Sequence, residues 1–118
     1  MEGFGIRLIS SNENIPFGTL RYRAQCEENG WTDWQEQGGY AGTIDETKEL
    51  LAIQIQLTGN LAKLYNVYYC TYVQGYGWLD WTCNGNTAGT FGDTFYLKAI
   101  KVKLIPKNKT GPIVYSDH

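Results

Sequence analysis

The feature that most constrains the fold is an internal repeat. Shifting the sequence by 47 positions aligns residues 22–57 with residues 69–104 without a gap, and 14 of the 36 aligned positions are identical. Both copies contain the motif Gly-Trp-x-x-Trp, at Gly30–Trp34 and at Gly77–Trp81. A period of this length indicates one supersecondary unit used twice, with each copy burying its apolar face against a neighbour.

Both ends of the chain resemble pieces of the same unit. Phe4–Leu8 is similar to the end of each full copy, and Gly111–Tyr115 is similar to the start. We therefore predict a single domain over residues 1–118. It would comprise a partial repeat at 1–9, full repeats at 18–57 and 65–104, and a partial repeat at 111–118. We expect Phe4–Leu8 to lie beside Ile113–Tyr115 and close the fold, because closure removes exposed strand edges. The alternative is that these pieces are cut ends of a longer array.

Hydrophobic periodicity predicts strands. Apolar and polar residues alternate along Leu20–Cys26, Ile53–Leu57 and Ile100–Leu104, as expected for strands with one face in the core and one in water. Residues 38–47 and 85–94 are predicted as loops, and residues 60–65 as one helical turn. We predict an all-β fold of three-stranded meanders whose modules start near residues 1, 50 and 97. A pseudo-threefold β-prism or β-trefoil-like arrangement is preferred, and a two-sheet β-sandwich is the alternative.

Charge and composition exclude several function classes. The formal net charge of −2 is too small to attract nucleic acid over long range, and no apolar run reaches membrane-spanning length. We expect no nucleic-acid partner and no membrane insertion. Residues 18–57 carry three basic and seven acidic side chains, whereas residues 65–104 carry three and two. We interpret this as two differently decorated surfaces. Head-to-tail association into a homo-oligomer is the alternative.

Few residues suit catalysis or metal binding. The single histidine, His118, ends the chain, so no serine or cysteine triad can be assembled. The cysteines Cys26, Cys70 and Cys83 lack CxxC or Cys/His spacing, so we expect no metal site and no cofactor. Their odd number and asymmetric positions predict at least one free thiol and no essential disulfide. We therefore expect no enzymatic activity.

The repeated motifs together resemble a known family. Gly-Trp-x-x-Trp is followed by Gly-Gly or Asn-Gly, then by Ala-Gly-Thr at 41–43 and 88–90, and then by a strand that begins Leu-x-Ala-Ile. This order resembles the ChW repeat, a clostridial hydrophobic repeat with a conserved tryptophan. The sequence departs from the family pattern at Gln25 and Tyr72, where a histidine is common, and at Asp45, where the second copy has Gly92. Only His118 matches that histidine.

The resemblance implies a non-catalytic module of bacterial surface, secreted or phage-related proteins, extracellular or virion-associated. The favoured function is recognition of a cell-wall or other surface glycan by exposed aromatic rings. The alternative is a protein–protein assembly or adhesion module. In such a site an indole would stack on a sugar while nearby polar groups bind its hydroxyls. The candidate ligand-binding residues are Trp34, Trp81, Asp33, Asp80, Tyr40 and Asn84.

The tryptophan pairs decide between a binding module and a merely well-packed repeat. Residues i and i+3 of a strand point to opposite faces, so one tryptophan of each pair would be core and the other exposed. Glycine before the first tryptophan permits close packing, so we expect Trp31 and Trp78 to be buried and Trp34 and Trp81 to keep more solvent exposure. The alternative is that all four pack in the core and the aspartates cap turns.

Overall fold

The computed structural model describes residues 1–7, 18–28, 30–42, 48–90 and 96–114. Up to residue 57 the strands are β1 (Gly3–Phe4), β2 (Leu20–Cys26), β3 (Gly30–Trp31), β4 (Gln35–Glu36), β5 (Ala41–Gly42) and β6 (Leu50–Leu57). The later elements are α1 (Gly59–Leu64), β7 (Tyr65–Val73), β8 (Gly77–Trp78), β9 (Thr82–Cys83), β10 (Ala88–Gly89) and β11 (Leu97–Pro106). The all-β prediction is confirmed, and the predicted helical turn is α1.

Each repeat forms one antiparallel sheet of the same layout. The long first strand is central: β2 pairs with β6, and β7 pairs with β11. Its other edge pairs with an interrupted strand, formed by β3 and β4 in the first repeat and by β8 and β9 in the second. Within the described ranges the sheets stay open and none closes into a barrel. The architecture therefore agrees with the two-sheet alternative and lacks the closed barrel of a β-trefoil.

One hydrophobic core is shared by both repeats. Alternate residues of β2 are buried, as the sequence pattern predicts, and Tyr22 and Tyr69 are the largest fully buried side chains. The first four residues of β6 are all buried, and burial alternates only from Ile53 to Gln56. Strand β11 does not follow the alternation, because Val102 on its apolar face is 37% exposed. The core therefore covers β2, β6 and β7 more completely than β11.

The repeats are joined through segments that the sequence pattern assigned to loops. Strand β5 pairs with β1, and β10 pairs with β6, so each short Ala-Gly strand reaches back to the strand that precedes its own repeat. Both alanines are buried. Gly42 and Gly89 have φ of +150° and +138°, a backbone conformation open mainly to glycine. The prediction of loops is therefore wrong at four residues, which form strands instead: Ala41, Gly42, Ala88 and Gly89.

The predicted pairing of the two ends is also wrong within the described residues. Strand β1 pairs with β5, and Val114 forms a bridge with Trp81. Leu8 and Tyr115 lie outside the described residues. The three expected module starts do meet: the Leu50 amide donates to the Met1 carbonyl at 2.7 Å, and the Met1 amino group donates to the Leu97 carbonyl at 3.1 Å.

The two sheets differ in where a threonine hydroxyl lies: beside the central strand in the first repeat and on the central strand in the second. In the first repeat the Thr32 hydroxyl accepts a hydrogen bond of 3.1 Å from the amide of Ala24 on β2. In the second repeat the aligned residues are Leu79 and Thr71, so the threonine lies on the central strand instead. The Thr71 hydroxyl is buried and has no hydrogen-bond partner in the described part of the chain. Burying an unpaired hydroxyl is unfavourable.

We expect Thr71→Val to raise the free energy of unfolding by about 1 kcal/mol, because it removes an unpaired buried hydroxyl and keeps the side-chain shape. The matched variant Thr32→Val should lower it by about 1 kcal/mol, since the buried Ala24 amide then loses its partner. Urea unfolding followed by tryptophan fluorescence measures both changes. Shifts of the same sign in the two variants would contradict this explanation.

Candidate binding surface

The tryptophans lie outside the buried core. Trp78 is 42% exposed, and Trp31, Trp34 and Trp81 are each partly buried. The prediction that Trp31 and Trp78 are buried is therefore wrong. The alternation of faces fails because the edge strand is interrupted at residues 32–34, between β3 and β4, and at the aligned residues of the second repeat. Each tryptophan pair instead faces cationic side chains on the outer side of its sheet.

In the first repeat these cations are arginines of the central strand. The Arg23 guanidinium lies 4.7 Å from the ring centroid of Trp31 and 4.8 Å from that of Trp34, and Arg21 also lies 4.8 Å from Trp34. Gln54 and Gln56 on β6 accept hydrogen bonds from the two guanidinium groups at 2.8 and 2.6 Å. Cation–π contacts of this kind are worth about 0.5–1 kcal/mol at exposed sites.

In the second repeat the cations come from the neighbouring strand. Tyr68 and Cys70 occupy the positions of Arg21 and Arg23, while lysines occupy those of the two glutamines. The Lys101 ammonium lies 4.2 Å from the ring centroid of Trp78, and that of Lys103 lies 5.2 Å from Trp81. Each tryptophan of both repeats therefore has a cationic neighbour. The cations lie on the first strand of the unit, β2, in the first repeat and on its last strand, β11, in the second.

Three exposed aromatic side chains lie close in sequence around the β7–β8 hairpin. The rings of Tyr72 and Trp78 meet edge to face with centroids 5.4 Å apart, and they are 39% and 42% exposed. Tyr76, in the turn between the strands, is 64% exposed. We call Tyr72, Tyr76 and Trp78 the aromatic face. The first repeat has Gln25 in place of Tyr72, and its residue aligned with Tyr76 lies outside the described residues.

The two tryptophans expected from the sequence to bind a ligand are engaged by the protein itself. Trp34 lies under both arginines of its sheet. Trp81 lies beside Lys103 and forms a backbone bridge with Val114. Neither offers a surface as open as that of Trp78.

The polar candidates are divided between the two repeats. Asp33 and Asp80 are exposed in the interrupted segments of different sheets. Tyr40 is exposed, but its ring packs directly on Gly3, where a Cβ atom would overlap it. The Asn84 side chain accepts from the Val67 amide at 3.0 Å and donates to Asn66 at 3.0 Å, so it stabilises a turn. Asp33 and Tyr40 belong to the first repeat, and Asp80 and Asn84 belong to the second.

Sequence reasoning missed Tyr72, Tyr76 and Lys101. The signal available was the density of aromatic residues between positions 72 and 78, which the first repeat does not share. The alignment emphasised positions that the repeats have in common and therefore hid the ones in which they differ.

The cysteines are free thiols, which confirms that at least one is unpaired. Cys26 and Cys70 are buried and Cys83 is partly buried. Burial raises the pKa of the Cys70 and Cys83 thiols, although Lys101 and Lys103 partly oppose the shift at Cys70. No cluster of histidine, cysteine and carboxylate side chains suited to a metal ion occurs in the described ranges. No helix within those ranges has the length and apolar character needed to cross a bilayer.

Two sheets of one design, each accompanied by an Ala-Gly strand that pairs with the strand preceding its repeat, define a β-repeat protein. The family described as Clostridial hydrophobic W, abbreviated ChW, matches residues 25–59 and residues 72–106. The chain therefore belongs to the ChW family and contains two tandem copies of its repeat. Comparisons with curated proteins and with solved structures gave no significant match.

Proposed function

We propose that this chain is a non-catalytic binding module that recognises a cell-wall or other surface glycan through the aromatic face. The observation that carries the proposal is the exposure of Tyr72, Tyr76 and Trp78 around one hairpin. Grouped exposed aromatic side chains are unfavourable in water and mark interaction sites. Pyranose rings offer apolar C–H faces of matching size.

The geometry around Trp78 supports stacking on a sugar. The Tyr72 ring meets Trp78 at 83°, and Lys101 lies over the indole, so both contacts limit rotation of the ring. An aromatic side chain that is already oriented loses little conformational entropy when it binds. The Lys101 ammonium group would donate hydrogen bonds to hydroxyl or acidic groups of the bound polymer. We therefore expect acidic polysaccharides to bind more tightly than neutral ones.

The first repeat is less suited to this role. Trp31 and Trp34 are partly buried, whereas Trp78 is 42% exposed. Gln25 stands where the second repeat has Tyr72, which removes the aromatic partner. We therefore assign glycan recognition to the second repeat, which makes the two copies unequal in function.

Membership in the ChW family supports a non-catalytic role. A glycan-binding module is useful where polysaccharide is present, so we place this protein at the cell surface, in a secreted protein or on a virion. A protein–protein assembly role remains the second candidate, and the repeated Ala-Gly pairing favours it.

We expect Trp78→Ala and Tyr72→Ala to weaken polysaccharide binding at least tenfold, equivalent to about 1.4 kcal/mol, because each removes part of the stacking surface. The matched control Trp31→Ala alters the aligned tryptophan of the first repeat and should leave affinity nearly unchanged. Affinity electrophoresis and calorimetry against peptidoglycan, neutral wall polysaccharide and acidic wall polysaccharide measure this. Thermal melts show whether each variant is folded.

Two results would reject the glycan proposal. One is an equal loss of affinity in Trp78→Ala and Trp31→Ala while both remain folded. The other is that the unmodified chain binds none of the three polymers at millimolar concentrations of repeating unit.

A further inference from the structure

The contact between successive repeats is built twice from the same parts. In the first junction Ala41 and Gly42 pair with Phe4 and Gly3. In the second junction Ala88 and Gly89 pair with Ile53 and Ala52. The receiving residues of the two junctions are equivalent in the repeat, since Phe4–Leu8 aligns with Ile53–Leu57.

Backbone hydrogen bonds two residues further along the receiving strand are also repeated. The Gly38 amide donates to the Ile6 carbonyl at 2.9 Å, and the Gly85 amide donates to the Ile55 carbonyl at 2.7 Å. A receiving strand must therefore present a free edge over at least four residues, from Gly3 to Ile6 in the first junction and from Ala52 to Ile55 in the second, with an apolar residue at each paired position.

Strand β11 meets both requirements. Its residues Ala99, Ile100 and Val102 align with Ala52, Ile53 and Ile55 of β6. One edge of β11 pairs with β7, and no described strand pairs with the other edge. Val102 is 37% exposed, whereas Ile55, which the second repeat covers, has no exposed surface.

We propose that β11 is a third receiving strand, which binds the Ala-Gly-Thr segment of a further ChW repeat. The two filled junctions of this molecule identify the occupant, because both receive an Ala-Gly pair and β11 repeats their receiving positions. The edge is poorly suited to pairing with β11 of a second copy. Lys98, Lys101 and Lys103 would then face like charges, and edge lysines of this kind oppose strand-to-strand association. The proposal is independent of glycan binding.

The test is to supply a further repeat. Residues 111–118 align with residues 65–72 through Tyr115 and Tyr69, so a copy of residues 73–106 joined after His118 makes a third complete repeat. Hydrogen exchange of the Ile100 and Val102 amides is then compared between the full chain and the extended chain. We expect at least tenfold slower exchange in the extended chain, because the counterparts of these amides on β6 face the next repeat.

Two variants test whether slower exchange comes from docking of the added repeat on β11 or only from the greater length of the chain. Gly89→Val made only in the appended copy should abolish the protection, because a Cβ at that glycine overlaps the receiving backbone. Val102→Lys should leave the melting temperature of the unextended chain unchanged, since Val102 is exposed there, but remove the protection in the extended chain. Unchanged exchange in the extended chain would overturn the proposal. So would a concentration-dependent dimer of the unextended chain in which these amides are already protected.

Discussion

Replacing Tyr22 or Tyr69 by alanine is expected to lower the free energy of unfolding by about 3–5 kcal/mol, because each change opens a cavity of aromatic size in the core. Both side chains are fully buried in the cluster that joins the two repeats. Chemical denaturation followed by tryptophan fluorescence measures the loss. Trp31→Ala, at a partly buried aromatic residue, is the control and should cost clearly less.

The hydroxyl group of each tyrosine also connects two repeats. The Tyr22 hydroxyl accepts from the Ile6 amide at 3.0 Å and donates to the Gly39 carbonyl at 2.7 Å. The Tyr69 hydroxyl donates to the Asn86 carbonyl, and the backbone groups of Ile55 in the first repeat and Gly85 act on it by lowering its pKa. Burial raises the pKa of Tyr69, so this hydroxyl remains a donor through the neutral and mildly alkaline range.

Phenylalanine variants isolate this hydroxyl contribution. Tyr22→Phe and Tyr69→Phe should each lower stability by about 1–3 kcal/mol, because partly buried backbone groups lose their partners. If the phenylalanine variants are as stable as the unmodified chain, the hydroxyl groups do not hold the repeats together. The alanine effect would then come from packing alone.

Gly89→Ala is expected to lower stability by about 3 kcal/mol through backbone strain and loss of the junction. Gly89 has φ of +138°, and a Cβ there would overlap the Leu51 carbonyl oxygen and approach Ala52. Denaturant unfolding gives the magnitude. Hydrogen exchange of the Ile53 amide should also accelerate, because β10 pairs with that part of β6.

Gly75→Ala is the matched control. Gly75 also has a positive φ, +90°, but a Cβ there meets no atom within 4 Å. Gly75→Ala should therefore lower the free energy of unfolding by only about 1–2 kcal/mol, which is the cost of placing a residue other than glycine at a positive φ. If Gly89→Ala and Gly75→Ala lower the free energy of unfolding equally, the close approach of Gly89 to β6 does not contribute to stability.

The sequence was sufficient to predict the repeat, the long strands and the family, because these depend on local alternation and on spacing. Strand β2 shows the predicted alternation of buried residues along its whole length. The Ala-Gly junctions were not predictable in this way. Two small residues carry no periodic signal, and their partners lie 35 to 39 residues away in the chain.

The tryptophan prediction failed for a different reason. It assumed a continuous edge strand, whereas the Thr32 amide and hydroxyl both bond to Ala24 and the strand is interrupted there. The aromatic face was missed because it depends on Tyr72 and Tyr76, residues that only one copy has. The alignment of the repeats identifies residues common to both sheets, whereas the proposed binding surface consists largely of residues in which the copies differ.

The cations that contact the tryptophans lie on the first strand of one repeat, β2, and on the last strand of the other, β11. This difference limits which strands can be swapped between the repeats. A chimera with β2 in place of β7 would bring Arg21 and Arg23 together with Lys101 and Lys103 on one face. The reverse exchange would leave Trp31 and Trp34 without any of these cations. Strands that align well are therefore not interchangeable parts. The smallest unit that can be transferred between repeats with its charges intact is the whole three-stranded sheet. A chimera that takes the first strand from one repeat and the last strand from the other should have either too many cations beside its tryptophans or none.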